Sequence, residues 1–287
     1  MDIRILHYFV TIAQEKNITR AAERLLITQP TLSRQLKELE EELGVSLFHR
    51  ANREMTLTED GQYLYNRSQE ILQLVSKTEE NLTRKGEIGG DLYIGTAETA
   101  SFDFVADACR SLLEIYPQIR LNFYDDNADS LYEKLDKGTL DFALVFTHAI
   151  PAKYKMIQLP RKDQWGVLVP KNHPLTKLEQ VTVEEIVSYP LIVSNQSDID
   201  KSAFANYDYK VVATYNLLYT ASRLVQAGLG IALCLDGIVD HPELVFLPCT
   251  NQGDEGYYLI WKDRHDQTAT EKAFLEEIEA QLYEIEN

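Results

Sequence analysis

The chain reads as a multidomain protein: an α-rich winged helix-turn-helix head, a long linker helix, then two α/β lobes. Three observations predict this. Apolar residues recur at helical spacing through about the first 85 positions. From Asp91 onward, short apolar strands alternate with helical stretches. The excess acidic charge lies entirely behind the head. A length of 287 residues also exceeds what one small core organises, favouring two or three units.

The first helix is marked by Leu6, Phe9, Val10 and Ala13. Asn17 or Thr19 can cap a second, whose inner face is Ala21, Ala22 and Leu25. After the turn Leu26-Ile27-Thr28, Thr28 caps a third helix with Pro30 in its first turn, where a missing N–H costs little. Leu32, Leu36, Leu39 and Leu43 form its inner stripe, and Gly44 stops it. Residues 45–57 read as a hairpin, a wing with Arg50-Ala51-Asn52-Arg53 at its tip.

Thr58 caps a long helix running to about Lys85. Leu64, Ser68, Ile71, Val75, Thr78 and Leu82 alternate steps of four and three, an imperfect coiled-coil seam. Leu64, Ile71, Val75 and Leu82 are its dimerisation candidates; the alternative is a helix packed on its own domain. Strands at 92–95, 121–124 and 142–146, separated by helices, form a βαβαβ unit and hence a parallel sheet. The pattern recurs from Trp165 to Leu235, so a cleft should lie between two lobes. The boundaries are 1–57 for the head, 58–87 for the linker and 88–287 for the sensor. Lobe 1 takes about 91–160 plus 263–287, and lobe 2 about 161–262.

With the leucine stripe inward, the third helix turns Pro30, Ser33, Arg34 and Lys37 outward, with Gln29 and Thr31 at its N-terminal end. Such polar and basic groups suit a recognition helix in the major groove of duplex DNA. Gln29 can pair with adenine, Arg34 can reach guanine or phosphate, and Arg50 and Arg53 suit phosphates or the minor groove. The net charge of −17 at first opposes this. Residues 1–57, however, carry 8 basic and 8 acidic groups, and the remainder carries 20 and 37. The head is neutral, and an acidic body leaves it alone to approach DNA. Binding should then depend on dimerisation.

An enzyme is the competing class. No Gly-x-Ser-x-Gly elbow, Walker motif or dinucleotide glycine motif is present. His7, His49, His148, His173, His241 and His265 are scattered. No catalytic residue, metal site or cofactor is therefore expected. The 45% hydrophobic fraction is ordinary, and no apolar run can span a bilayer. The N-terminal order lacks the pattern of a secretory signal, and Cys109, Cys234 and Cys249 are odd in number and far apart. A cytoplasmic protein with no membrane partner is expected.

The run Thr19-Arg20-Ala21-Ala22-Glu23-Arg24-Leu25, Thr28-Gln29-Pro30-Thr31-Leu32-Ser33-Arg34-Gln35-Leu36, Leu43-Gly44-Val45 and Leu57-Thr58 closely resembles the head signature of the LysR-type transcriptional regulators. Looser similarity continues through Gly90-Asp91-Leu92, His173-Pro174-Leu175 and Val225–Ala232. The resemblance implies a sensor like a periplasmic solute-binding protein, with a small-molecule effector between its lobes. It also implies homodimers or homotetramers, an interrupted inverted repeat as the promoter site, and RNA polymerase as a candidate partner. On the matched positions, Thr28, Gln29, Pro30, Thr31, Ser33, Arg34 and Lys37 would face DNA, with Arg50 and Arg53 on its backbone. Asp236 departs from the pattern, standing where proline is frequent.

Ligands of α/β lobes sit where strand ends meet helix N-termini. Thr96, Glu98, Thr99, Phe146, Thr147, Ser194 and Asn195 occupy such loops and are the effector candidates; the hydroxyls can equally cap helices. Glu98, Asp125 and Asp126 add acids, and these loops lack an obvious cation. A neutral, zwitterionic or cationic effector is expected.

Overall fold

A computed structural model describes residues 1–49, 54–84, 86–146, 150–196, 199, 202–250, 255–263 and 267–286. The chain divides into two compact units, Met1–Lys85 and Gly86–Asn287.

In the first unit, α1 (Ile3–Glu15) starts at Asp2, whose carboxylate accepts from the Arg4 amide, and ends at Lys16 in a left-handed conformation. Asn17 caps α2 (Ile18–Arg24), accepting from the amides of Thr19 and Arg20. Leu26, also left-handed at φ 56°, turns the chain toward α3 (Gln29–Leu43). Thr28 caps α3 by accepting from the Thr31 amide, and Gly44 ends it at φ 72°. Strands β1 (Phe48–His49) and β2 (Thr56–Leu57) pair antiparallel as the stem of the wing. Phe9, Ile12, Ala21, Leu32, Leu36, Leu39 and Phe48 form the core.

Helix α4 (Glu59–Thr83) begins at Thr58, whose hydroxyl accepts from the Gly61 amide and donates to the Ser46 carbonyl. A Cβ at Gly61 would lie 2.0 Å from the Leu47 carbonyl oxygen, so only glycine lets α4 approach the wing. Leu64 and Leu72 pack on the head's core and Ser68 is fully buried, whereas Leu82 is exposed. The first turns of α4 continue the apolar stripe of the head, so Leu64 is engaged within its own chain.

The described residues of the second unit form two five-stranded sheets. The first has the order β4-β3-β5-β12-β6. β3 (Gly90–Thr96) pairs in parallel with β4 (Ile119–Asp125) and β5 (Phe142–Phe146), as expected. The other members, β6 (Tyr154–Asp163) and β12 (Glu255–Lys262), are antiparallel additions. Phe142 and Leu144 face α5 (Phe102–Ile115) and α9 (Ala269–Glu286), while Ala143 and Val145 face α6 (Ala128–Lys137). Both faces are thus covered, which accounts for the unbroken apolar run of β5.

The second sheet has the order β11-β7-β10-β8-β9. β10 (Ile231–Leu235) and β9 (Val211–Tyr215) flank β8 (Leu191–Ser194) in parallel. β7 (Trp165–Pro170) runs antiparallel to β10 and to β11 (Leu244–Pro248), so this sheet is mixed rather than a repeat of the first. Helices α7 (Val183–Ile186) and α8 (Leu218–Gln226) complete the lobe. The lobe limits also need correction. Residues 161–163 and 255–262 were expected in lobe 2 but hydrogen-bond into the first sheet. The chain crosses between lobes at Gln164, and β11 of the second sheet is followed in sequence by β12 of the first.

Candidate functional site

Helix α3 separates its residues by burial. Leu32, Leu36 and Leu39 are buried; Thr28, Pro30, Thr31, Ser33, Arg34 and Lys37 are exposed, and Gln29 is half-buried. Arg34 and Lys37 retain 70% and 68% side-chain exposure, with Glu38 and Glu41 one turn on as ion-pair partners at 3.7 and 3.3 Å. Such exposed pairs contribute little and release their cations readily. Thr28 serves first as the cap, its hydroxyl sharing a hydrogen bond with that of Thr31. The acids of the C-terminal half are structural: Glu40 accepts from the Leu47 amide and Glu42 from the N-terminal ammonium. Arg50 and Arg53 lie outside the described residues.

The lobes of the second unit enclose a cleft of about 870 Å³. Of the expected residues, Glu98, Phe146, Ser194 and Asn195 line it. Thr147, like His148, lies outside the described residues. Thr96 and Thr99 line a neighbouring groove of about 860 Å³. Their hydroxyls are engaged internally, Thr96 donating to the Ala97 carbonyl and Thr99 to the carboxylate of Asp163. Asp125 also lines the groove, and Asp126 accepts from Ser130 Oγ at 2.5 Å within the first turn of α6. Glu98 is therefore the one acid of the three proposed from sequence that lines the cleft.

Sequence reasoning missed Asn127, Asp129, Trp165, Tyr215, Asn216 and Tyr257, which also line it. Asn127 carried a readable signal, because it caps α6 by accepting from the Ser130 amide. The aromatic residues carried none, since strand patterning does not separate a cleft wall from a core.

Glu98 joins the two lobes. Its Oε2 accepts from the Leu218 amide at 2.6 Å, on the first residue of α8. The N-cap residue Leu217 offers no side-chain bond, so a carboxylate from lobe 1 occupies the helix end of lobe 2. Burial pushes the Glu98 carboxyl above its usual range; the Leu218 amide opposes that shift and the charge of Asp125 adds to it.

Beside the cleft, the crossing at Gln164 is pinned. Asp163 is fully buried and accepts from Thr99, Ser101 and Arg161. Arg161 also pairs with Asp236 at 2.9 Å. The Asp236 amide donates to the Gln164 carbonyl, and the Gln164 amide donates to the Asp236 carboxylate. A proline at 236 could make neither bond.

Residues 3–62 match the family described as "Bacterial regulatory helix-turn-helix protein, lysR family", and residues 85–282 match "LysR substrate binding domain". The chain is 32% identical to the HTH-type transcriptional regulator AlsR of Bacillus subtilis over 67% of its length and 64% of that protein. It is 28% identical to the regulator YnfL of Escherichia coli over 96% of both chains. It is also 28% identical to the dual regulator OxyR of Escherichia coli over 87% of this chain and 85% of that one. Among solved structures, CbnR, a LysR family regulator, superposes with a TM-score of 0.75 over 98% of this chain and 99% of that chain. CbnR with its target DNA gives 0.73 at the same coverage. At 18% identity those two show a shared fold. The chain belongs to the LysR family: it is a DNA-binding transcription regulator with an N-terminal helix-turn-helix domain and an effector-binding domain behind it.

Proposed function

We propose that this regulator reads an interrupted inverted repeat near a promoter through α3, and responds to a small molecule held between the lobes of its sensor. The observation that carries the reading is α3 itself, whose exposed Ser33, Arg34 and Lys37 stand opposite a buried leucine stripe. Gln29, Pro30 and Thr31 at its N-terminal end complete the readout face, and Arg50 and Arg53 of the wing serve the backbone. Two heads are needed for an inverted repeat. The outer part of α4, with Ile71, Val75 and Leu82, is the surface offered for the homodimer, and pairing of dimers gives a tetramer. RNA polymerase is the partner expected at the promoter, and the cytoplasm the compartment.

Footprinting the region upstream of its own gene, at two salt concentrations, tests this. A protected inverted repeat that weakens with salt is expected. Arg34→Ala should cost about 1–3 kcal/mol of specific DNA affinity while ligand binding by the sensor is unchanged. Loss of both together would show that the modules are not independent.

Relatives named hydrogen peroxide-inducible genes activators suggest a thiol switch as a second reading. The cysteines here disfavour it. Cys109, Cys234 and Cys249 are all buried and sit in three different core clusters. Burial pushes the Cys109 and Cys234 thiols up to about 12, and that of Cys249 to about 11. Peroxide attacks the exposed thiolate. Micromolar peroxide should therefore leave DNA binding unchanged, as a gel-shift titration with and without reductant will read.

A further inference from the structure

Resting on the assignment of the cleft as the effector site, we propose that it selects a neutral or cationic organic ligand, such as an amine on an apolar body, over an anion of the same skeleton. An anion in such a cleft relies on free helix N-termini or on a facing cation. Here the Leu218 amide at the start of α8 is already bonded by the Glu98 carboxylate. At the start of α6 the Ser130 amide is bonded by Asn127, and the acid Asp126 accepts from the Asn127 amide and the Ser130 hydroxyl. The charged residues among the described lining are Glu98 and Asp129, both acidic; no described Lys, Arg or His faces the cleft.

The site also has the parts that hold an uncharged or positive molecule. Phe146, Trp165 and Tyr257 provide apolar wall, and Ser194, Asn195 and Asn216 provide neutral polar groups. An incoming ammonium meets the half-buried Glu98 and the exposed Asp129, and at Glu98, where water is partly excluded, charges attract more strongly than in bulk solvent. An incoming carboxylate meets the same two, one of them already on the Leu218 amide of α8. Protonation of Glu98, favoured by its burial, removes one of the two charges. Amine binding should therefore weaken as pH falls through the titration of Glu98.

Calorimetric titration of the full-length protein with 2-phenylethylamine, 2-phenylethanol and phenylacetate tests the charge preference on one skeleton. The expected order is amine, alcohol, carboxylate, with on the order of tenfold between the first and last at low salt. Glu98→Gln should narrow that ratio several-fold, because glutamine still accepts from the Leu218 amide but lacks the charge. If that variant fails to fold, Asp129→Asn makes the same charge test from an exposed position. Tighter binding of phenylacetate, or a ratio that both variants leave unchanged, overturns the proposal while leaving the cleft as a ligand site. Absence of binding by all three overturns the assignment of the cleft itself, and the proposal with it.

Discussion

Gly61 shows how one residue can hold an element in place. Its missing side chain lets α4 pass the wing at a distance where a Cβ would overlap the Leu47 carbonyl. That oxygen also accepts from the Thr58 amide, so it cannot simply retreat. Gly61→Ala should destabilise the head by about 3 kcal/mol or more. A drop in the head's melting temperature with an unchanged sensor would show this, and an unaffected head would mean α4 can shift along the wing. At the same scale, local chemistry was legible and distant chemistry was not. The caps Asn17, Thr28 and Thr58 could be read because a cap bonds two or three residues away. The engagement of Thr99 by Asp163 could not, because 64 residues separate them and both types occur throughout the chain.

Elements follow the same division. The leucine stripe and exposed polar face of α3 were readable because helical period sorts them within one segment. The partners of strand β12 are not legible in the sequence, because an apolar run specifies a strand but not the sheet it joins. The mixed second sheet escaped for the same reason, since β7 carries no mark of direction. Helix α4 divides along its length. The turns holding Leu64 and Leu72 pack on the head, and Leu82 at the far end stays 63% exposed. If that end pairs two subunits, Leu82→Asp should weaken the dimer by about 1.5–3 kcal/mol for each leucine kept out of the interface, leaving the head folded. Sedimentation equilibrium, with circular dichroism as the folding control, reads this; an unchanged dimer constant would place the interface elsewhere.

At the scale of the whole molecule, the chain divides into two compact units. The head with α4 and the sensor each carry their own core, and the division falls at Lys85 and Gly86. The two lobes of the sensor are not separable in the same way. Lobe 1 is assembled from strands on both sides of lobe 2, so the sheet that holds β6 and β12 together requires the chain to leave and return. Asp163, Arg161 and Asp236 tie the first crossing, and Glu98 bridges to α8. Unfolding one lobe therefore removes partners of buried groups in the other, which couples them energetically. Scanning calorimetry of the full chain should show two transitions, one for each unit. A ligand of the cleft should raise the sensor transition alone, and a DNA duplex carrying the site should raise the head transition, each by mass action. Asp236→Ala should lower the sensor transition without splitting it, because the Glu98 tie to α8 remains. A third transition would mean that the lobes fold apart despite their shared sheet. A single transition moved equally by ligand and DNA would mean that head and sensor form one cooperative body, in which effector binding reaches the DNA through stability rather than through the placement of two independent heads.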